Sequence, residues 1–169
     1  MAELTLADCS SMAKLLIHAH PSSAMAERLA VPFGRSRRDD DRTLILRVRP
    51  AQWLLFADAG REPELVRQWE AAAGETGEFV SVIDVTSGRT LLRLTGESSP
   101  ALLAKVCALD LATASDGSAL RSTVAKVNAE IVRDDANGQR SYLLACERSY
   151  GQFLTQVIND AGEEFVAVS

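Results

Sequence analysis

The sequence predicts an α+β fold made of two similar halves, each with the order strand, helix, hairpin and helix. Short alternating apolar runs, which are typical of strands, are interleaved with segments in which apolar residues recur at helical spacing. A serine or a proline stands where each helix is expected to begin. The chain has 169 residues, of which 47% are apolar and 24% charged, so it suits one medium domain or two small half-domains that share a core.

The first half opens with a predicted strand at residues 14–19, a short apolar run bounded by Pro21. Ser22 or Ser23 is placed to cap a short helix directly after it. The polar segment 34–41 cannot bury itself, so we expect a solvated loop there, with a docking loop as the alternative.

Two strands and a helix complete the first half. The strand-like runs at residues 43–48 and 52–57 are split by Pro50, which cannot donate to a sheet ladder and therefore belongs in the connection. Pro63 marks the first turn of a helix, where its missing N–H has no cost. Apolar residues then recur at helical spacing up to Gly74, which we expect to end the helix.

The second half begins near residue 81 and repeats this pattern. An alternating apolar run at residues 79–85 leads into a predicted strand at residues 89–95. A turn containing Ser98 and Ser99 then starts a helix over residues 101–109.

The chain ends with three strands and a final helix. Asn137-Gly138 predicts a tight type I′ turn, because both central positions of that turn need positive φ. Ser149 and Gln152 have the spacing of a capping box, and Gly162 closes the helix that follows. The three strands are predicted at residues 120–127, 129–132 and 141–145.

The two halves, about residues 1–80 and 81–169, correspond by pattern. In both, a Leu-Leu strand precedes a Ser-Ser helix start, and an aromatic-Leu-Leu strand precedes the last helix. These segments begin at Leu15, Trp53, Leu91 and Tyr142. Each half alone would bury little apolar surface, so we expect the halves to pack as one compact unit.

Composition and charge argue against several classes of protein. The net charge is −5 and no face is obviously basic, so nucleic acid is not expected as a partner. The apolar runs are far shorter than the roughly 20 residues that span a bilayer. Acids stand where a signal peptide needs a basic start, so we expect a cytoplasmic protein. Cys9, Cys107 and Cys146 form no CxxC pair and are expected to be free thiols, the last two buried.

Chemistry-bearing residues are scattered along the chain. His18 and His20 could share one face of a strand and chelate a metal, but no third ligand stands at a suitable spacing, and strand-end histidines are the favoured interpretation. Without another histidine, a nucleophilic triad is rejected. The glycines form no phosphate-binding loop, and the acidic run at residues 39–41 lacks calcium-loop spacing. We therefore expect no catalytic, cofactor-binding or metal-binding residue in this chain.

The segment 84–111 contains a group of polar residues around a turn. Asp84 is expected to stabilise that turn through its carboxylate, with catalysis as the alternative. Arg89 and Arg93 alternate with leucines on the next strand, so they share a face that lies opposite the core or at a partner surface.

Two motifs resemble the gamma subunit of heterotetrameric sarcosine oxidase, and the resemblance is strongest from about Arg42 onward. Segment 46–55 is similar to the family's strand–Gly–Pro–Asp–Glu–Trp–Leu signature, with Arg49 in place of the usual Gly and Ala51-Gln52 in place of Asp-Glu. In segment 84–111 the family-like positions are Asp84, Gly88, Arg89, Gly96, Lys105, Cys107, Asp110 and Leu111.

The resemblance implies a fold like the folate-binding domain of the glycine-cleavage T protein, and a non-catalytic structural role in a four-subunit flavoenzyme. In that family the alpha, beta and delta subunits are expected to hold NAD, tetrahydrofolate, FAD, FMN and zinc. The complex is expected to demethylate sarcosine or a related N-methyl amine oxidatively to glycine or the parent amine, and to pass the one-carbon unit to tetrahydrofolate. The alternative is a free-standing folate-binding or aminomethyltransferase-like module.

Such a subunit needs an interface, and aromatic anchors dominate interface energetics. Trp53 and Phe56 on a predicted hairpin are candidates, with plain core as the favoured alternative for Trp53. Val166 and Val168 in the C-terminal tail are further candidates, because an extended tail could add a strand to its own sheet or to a neighbour's.

Overall fold

The computed structural model describes residues 4–165, with ten strands and four α-helices in that range. The strands are β1 (Thr5–Asp8), β2 (Ala13–His18), β3 (Arg35–Arg38), β4 (Leu44–Arg49), β5 (Gln52–Ala57), β6 (Ser81–Asp84), β7 (Arg89–Thr95), β8 (Ala119–Val124), β9 (Val127–Arg133) and β10 (Ser141–Glu147). The helices are α1 (Ala24–Leu29), α2 (Glu62–Thr76), α3 (Ser99–Val106) and α4 (Gly151–Gly162).

The chain divides into two compact units. One unit consists of residues Ser11–Ser87, and the other combines the residues up to Ser10 with those from Gly88 onward. Each unit has one five-stranded antiparallel sheet, in the order β3-β4-β5-β2-β6 or β8-β9-β10-β7-β1. The α+β class and the repeated order of elements are therefore confirmed, with more strands than the sequence patterns predict.

The edge strands β1 and β6 are exchanged between the two repeats. β1 precedes β2 in the chain but pairs with β7, with Leu6 opposite Leu94. β6 precedes β7 but pairs with β2, with Val82 opposite Ile17. Each sheet is thus completed by a strand from the other repeat. No local sequence pattern predicts this exchange.

The core of the unit Ser11–Ser87 lies between one face of its sheet and its two helices. Ser23 caps α1 by accepting a hydrogen bond from the Ala26 N–H at 3.0 Å, which confirms one of the two predicted caps. The buried apolar cluster is rich in aliphatic side chains and contains both tryptophans. Its members are Ala13, Leu15, Ile17, Ala19, Met25, Ala26, Leu29, Val31, Ile45, Trp53, Leu55, Ala57, Leu65 and Trp69.

The core of the other unit lies under α3 and α4. Tyr142 is fully buried there, and its hydroxyl donates to the Leu111 carbonyl at 2.8 Å, so the polar end of this large side chain is satisfied. The clustered residues are Leu92, Leu94, Leu102, Leu103, Cys107, Leu111, Val124, Val127, Ala129, Ile131, Tyr142, Leu144, Cys146, Leu154 and Ile158.

The polar segment 34–41 is not the solvated loop that its composition predicts. Residues Arg35–Arg38 form β3, an edge strand paired with β4. Arg37 donates to the Leu29 carbonyl at 2.9 Å and forms an ion pair with Asp39. An edge strand tolerates charged side chains because it has a neighbour on one side only, so a polar composition does not exclude a strand.

Three helix boundaries also differ from the predictions. α2 continues through Gly74 and stops at Gly77, which has φ +64°, because a left-handed residue is the common end of a helix. α3 stops at Val106, whose carbonyl accepts instead from the Ala125 N–H at 2.8 Å. Ser149 forms no capping box, since it lies in a 3₁₀ turn that leads directly into α4.

Two tight turns shape the second sheet. Asn137 and Gly138 have φ values of +53° and +75° between a bridged Ala136 and Gln139, which confirms the predicted type I′ turn. The strand predicted over residues 120–127 is wrong at its end, because Ala125 and Lys126 also have positive φ and form a second turn between β8 and β9. Neither alanine nor lysine is typical of a turn with positive φ, so the sequence does not predict this turn.

Within residues 4–165, no helix is both long enough and apolar enough to span a membrane.

Candidate functional site

Asp84 stabilises the turn at the start of segment 84–111. Its Oδ1 accepts a hydrogen bond from the Thr86 N–H at 2.9 Å, which is the Asx geometry predicted for it. Thr86 in turn joins the turn to β2, because its Oγ1 accepts from the Lys14 N–H at 2.9 Å. Lys14 itself is fully buried, and its Nζ donates to the carbonyls of Met12 and Thr86. This group of polar residues therefore connects β6 to β2.

Arg89 and Arg93 lie on the face of β7 opposite its core leucines, as predicted, and both reach across β10 to an acid. The acid is on β9 for Arg89 and directly follows β9 for Arg93. Arg89 forms an ion pair with Glu130. Arg93 donates to the Asp134 carboxylate at 2.6 Å and to the Ser141 hydroxyl at 2.9 Å. Glu130 and Asp134 are buried, and acids taken out of water need such partners.

A pocket of about 210 Å³ opens beside the Arg89–Glu130 ion pair. It lies where β7 begins and β10 ends, next to the turn that carries Lys126. Its walls combine cations, acids and polar groups. They are formed by Arg89, Arg121, Lys126, Val127, Asn128, Glu130, Glu147 and Tyr150.

Glu130 holds two arginines at once in this pocket. One carboxylate oxygen pairs with Arg89, and the other lies 3.5 Å from Nε of Arg121 on β8. Burial lowers the pKa of the Arg89 guanidinium, because the cation loses water that nearby anions only partly replace. Arg89 is thus a partly desolvated cation in the lining of the pocket.

A larger and more open cleft of about 710 Å³ lies along α4 in the same unit. Gly151 begins α4 at its edge and packs against the buried Thr90 of β7. The lining is polar, and comprises Asp8, Ser10, Thr90, Arg148, Gly151, Gln152, Thr155, Gln156, Asn159 and Asp160.

The two histidines have separate roles. His18 on β2 lies 2.7 Å from the Gln52 side chain through its Nε2. The Nδ1 of His20 accepts from the Ser22 N–H at 3.2 Å in the next turn. No group of three or more His, Cys, Asp or Glu is arranged to hold a metal within the described range 4–165.

The aromatic residues predicted as interface candidates are buried. Trp53 is fully buried, with the Arg47 guanidinium 4.6 Å from its ring centroid, and Phe56 is also in the interior. Val166 and Val168 lie outside the described residues. Among residues 4–165, the exposed large apolar side chains are instead Phe33, Phe79, Ile83, Leu109, Tyr150 and Phe153.

Sequence pattern alone missed two of these exposed aromatics. Tyr150 and Phe153 belong to a run of apolar residues at helical spacing, which predicts a buried face on the last helix, yet they are 50% and 51% exposed. The i, i+4 spacing of Leu154 and Ile158 is the sequence feature that indicates the buried face of this helix, because both side chains do face the core.

The three cysteines are free thiols, as predicted, and differ in burial. We expect a thiol reagent at neutral pH to modify Cys9, which is partly exposed, and to spare Cys107 and Cys146 until the chain unfolds. Burial raises the pKa of the Cys146 thiol, which lowers the fraction of reactive thiolate. Intact mass should show one label on the folded chain and three in denaturant. Cys9→Ser is the control, and rapid labelling of this folded variant would contradict the prediction.

The model of the "Sarcosine oxidase, gamma subunit family" matches residues 20–164, which include both motifs that carry the sequence resemblance. A curated relative, sarcosine oxidase subunit gamma of Corynebacterium sp. (strain P-1), is 28% identical over 127 residues, or 74% of this chain. The chain spans 59% of the length of that relative.

Two solved structures are similar in fold. One is heterotetrameric sarcosine oxidase from Corynebacterium sp. U-96 in complex with pyrrole 2-carboxylate; its matching chain has a TM-score of 0.84 and 24% identity, over 98% of this chain and 87% of that one. The other is the glycine cleavage system aminomethyltransferase T from Bartonella henselae, with a TM-score of 0.74 and 20% identity, over 93% of this chain and 45% of that one. The predicted likeness in fold to the T protein is therefore confirmed. From the family match across residues 20–164, the chain belongs to the sarcosine oxidase gamma subunit family.

Proposed function

We propose that this chain is a non-catalytic structural subunit, the gamma subunit, of a sarcosine oxidase-type heterotetramer. The observation that carries the proposal is the family match over residues 20–164. The fold similarity to a chain of a heterotetrameric sarcosine oxidase, over 98% of this chain, supports it.

The contacts of segment 84–111 support a scaffold role. Asp84 holds a turn, and Arg89 and Arg93 each hold a buried acid. Side chains that are committed to such contacts cannot change position or protonation freely, as a catalytic acid or base must. The most conspicuous polar residues of the family-like motif therefore serve to build the sheet and its turns.

The proposed complex demethylates sarcosine or a related N-methyl amine to glycine or the parent amine, and transfers the one-carbon unit to tetrahydrofolate. We assign the FAD, FMN, NAD, tetrahydrofolate and zinc of this reaction to the partner alpha, beta and delta subunits. This chain contributes binding surface to those partners.

The direct test is co-expression of this chain, with an affinity tag, together with the alpha, beta and delta oxidase genes of the same organism. We expect the tagged chain to retain flavin-bearing partners through size-exclusion chromatography, and the complex to consume oxygen when sarcosine is added. The tagged chain expressed alone is the control. A monodisperse monomer that retains none of the co-expressed chains would overturn the proposal.

The alternative is a free-standing folate-binding or aminomethyltransferase-like module, and the likeness to aminomethyltransferase T favours it as the second candidate. At 20% identity that likeness shows the fold alone. Titration of the isolated chain with a reduced folate separates the two functions. Micromolar binding would favour the module, whereas no saturable binding would favour the structural subunit.

A further inference from the structure

The pocket beside Arg89 has an unbalanced set of charges. Arg89, Arg121 and Lys126 supply three positive charges, whereas Glu130 and Glu147 supply two negative ones. The surplus is one positive charge, three minus two, on a chain whose overall net charge is −5. A local surplus of positive charge in a pocket attracts anions.

The Arg89 side chain has an unsatisfied donor. Glu130 pairs with Nη2, but Nε is buried with no hydrogen-bond partner among the described residues. A buried donor without an acceptor is costly, and a partly desolvated cation is stabilised by an additional nearby anion. The geometry therefore favours the approach of a negative group to this pocket.

The rim of the pocket offers groups that donate to such an anion. Lys126, Arg121 and Asn128 are exposed, and the Tyr150 ring is half-exposed beside them on the pocket wall. The two-residue turn with positive φ places Lys126 between β8 and β9, at the edge of the pocket. Ammonium, guanidinium, amide and phenol donors together are a typical environment for a carboxylate.

We propose that this pocket receives one carboxylate group, supplied by an acidic side chain of a partner chain. The inference rests on the proposed function, because it assigns a contact within the proposed hetero-oligomer. A monoanion fits the surplus of one charge, whereas Glu130 and Glu147 repel the second charge of a phosphate. The volume of about 210 Å³ is sufficient for one side chain.

The first test uses the full-length chain alone, with N-acetyl-glutamate amide as the probe and ¹H–¹⁵N NMR of arginine Nε–H groups as the readout. We expect a saturable shift of the Arg89 Nε–H resonance, and binding about threefold weaker in Lys126→Gln. Lys105→Gln is the matched control, because Lys105 pairs with Glu164 away from the pocket. N-acetyl-glutamine amide and inorganic phosphate are the comparison probes.

Three outcomes of this titration would overturn the proposal. They are the absence of a saturable shift, an equal response to the neutral glutamine probe or to phosphate, and equal binding by Lys126→Gln and the unsubstituted chain. This titration needs no partner, so its result does not depend on whether the proposed function is correct.

The second test measures assembly with the co-expressed oxidase subunits. We expect Lys126→Glu to weaken partner retention about tenfold and Lys105→Glu to leave it unchanged, because reversing a charge places like charges together in the interface. Equal retention of Lys126→Glu and the unsubstituted chain would overturn the assignment of the carboxylate to a partner. If the unsubstituted chain is not retained either, the proposed function fails instead.

Discussion

Replacing Glu130 with alanine is expected to lower the free energy of unfolding by about 2–4 kcal/mol. The Glu130 side chain is only 9% exposed and balances both Arg89 and Arg121. Alanine leaves the Arg89 guanidinium largely buried without its ion-pair partner, and the cost of removing that cation from water is no longer offset.

Urea unfolding of the full-length chain measures this effect, with Glu97→Ala as the control. Glu97 is exposed, so its loss should change stability by less than about 0.5 kcal/mol. The double variant Arg89→Met/Glu130→Met should be more stable than Glu130→Ala, because apolar side chains of similar size can replace a buried ion pair at little cost. Equal unfolding midpoints for Glu130→Ala and Glu97→Ala would show that the pair contributes nothing.

Replacing Gly151 with alanine is expected to destabilise the chain by about 1–3 kcal/mol. A Cβ at this position would lie 2.2 Å from Oγ1 of Thr90, a buried residue of β7. Gly151 has helical dihedral angles, φ −59° and ψ −47°, so the cost comes from packing and not from backbone strain. Alanine usually stabilises a helix by up to about 1 kcal/mol relative to glycine, and we expect the free-energy cost of overpacking to exceed this gain.

Gly74 is the matched control for this substitution. It is also inside a helix, α2, but apart from its chain neighbours and the backbone of its own helix no described atom lies within 4 Å of the position its Cβ would take. Gly74→Ala should therefore stabilise the chain slightly, while Gly151→Ala destabilises it. Thr90→Ala removes the closest atom and should rescue Gly151→Ala in part. Shifts of the same sign for both glycines in thermal unfolding would contradict the packing argument.

Much of the secondary structure could be predicted because it depends on neighbouring residues. The strand at residues 89–95, the Ser23 cap and the Asn137-Gly138 turn follow from alternation, a side-chain acceptor and positive φ. β3 could not be predicted in this way. Its four residues are polar, and they form a strand because β4 presents a free edge beside them.

The candidate site was predictable only in part. The sequence placed Arg89 and Arg93 on one face of a strand, because side chains alternate along any strand. It did not identify their partners, since Glu130 and Asp134 each lie 41 residues further along the chain. The positive pocket depends on that pairing and on the turn at Lys126, so no local pattern reveals it.

The α+β class, the repeated order of elements and the family can all be predicted from local patterns, because alternation, helical spacing and two motifs are properties of short segments. The folded chain is needed to show which sheet each edge strand completes, which aromatic side chains are buried, and which charges share a pocket. These features depend on contacts between residues far apart in the chain, as in the pairing of β1 with β7 and of Arg89 with Glu130.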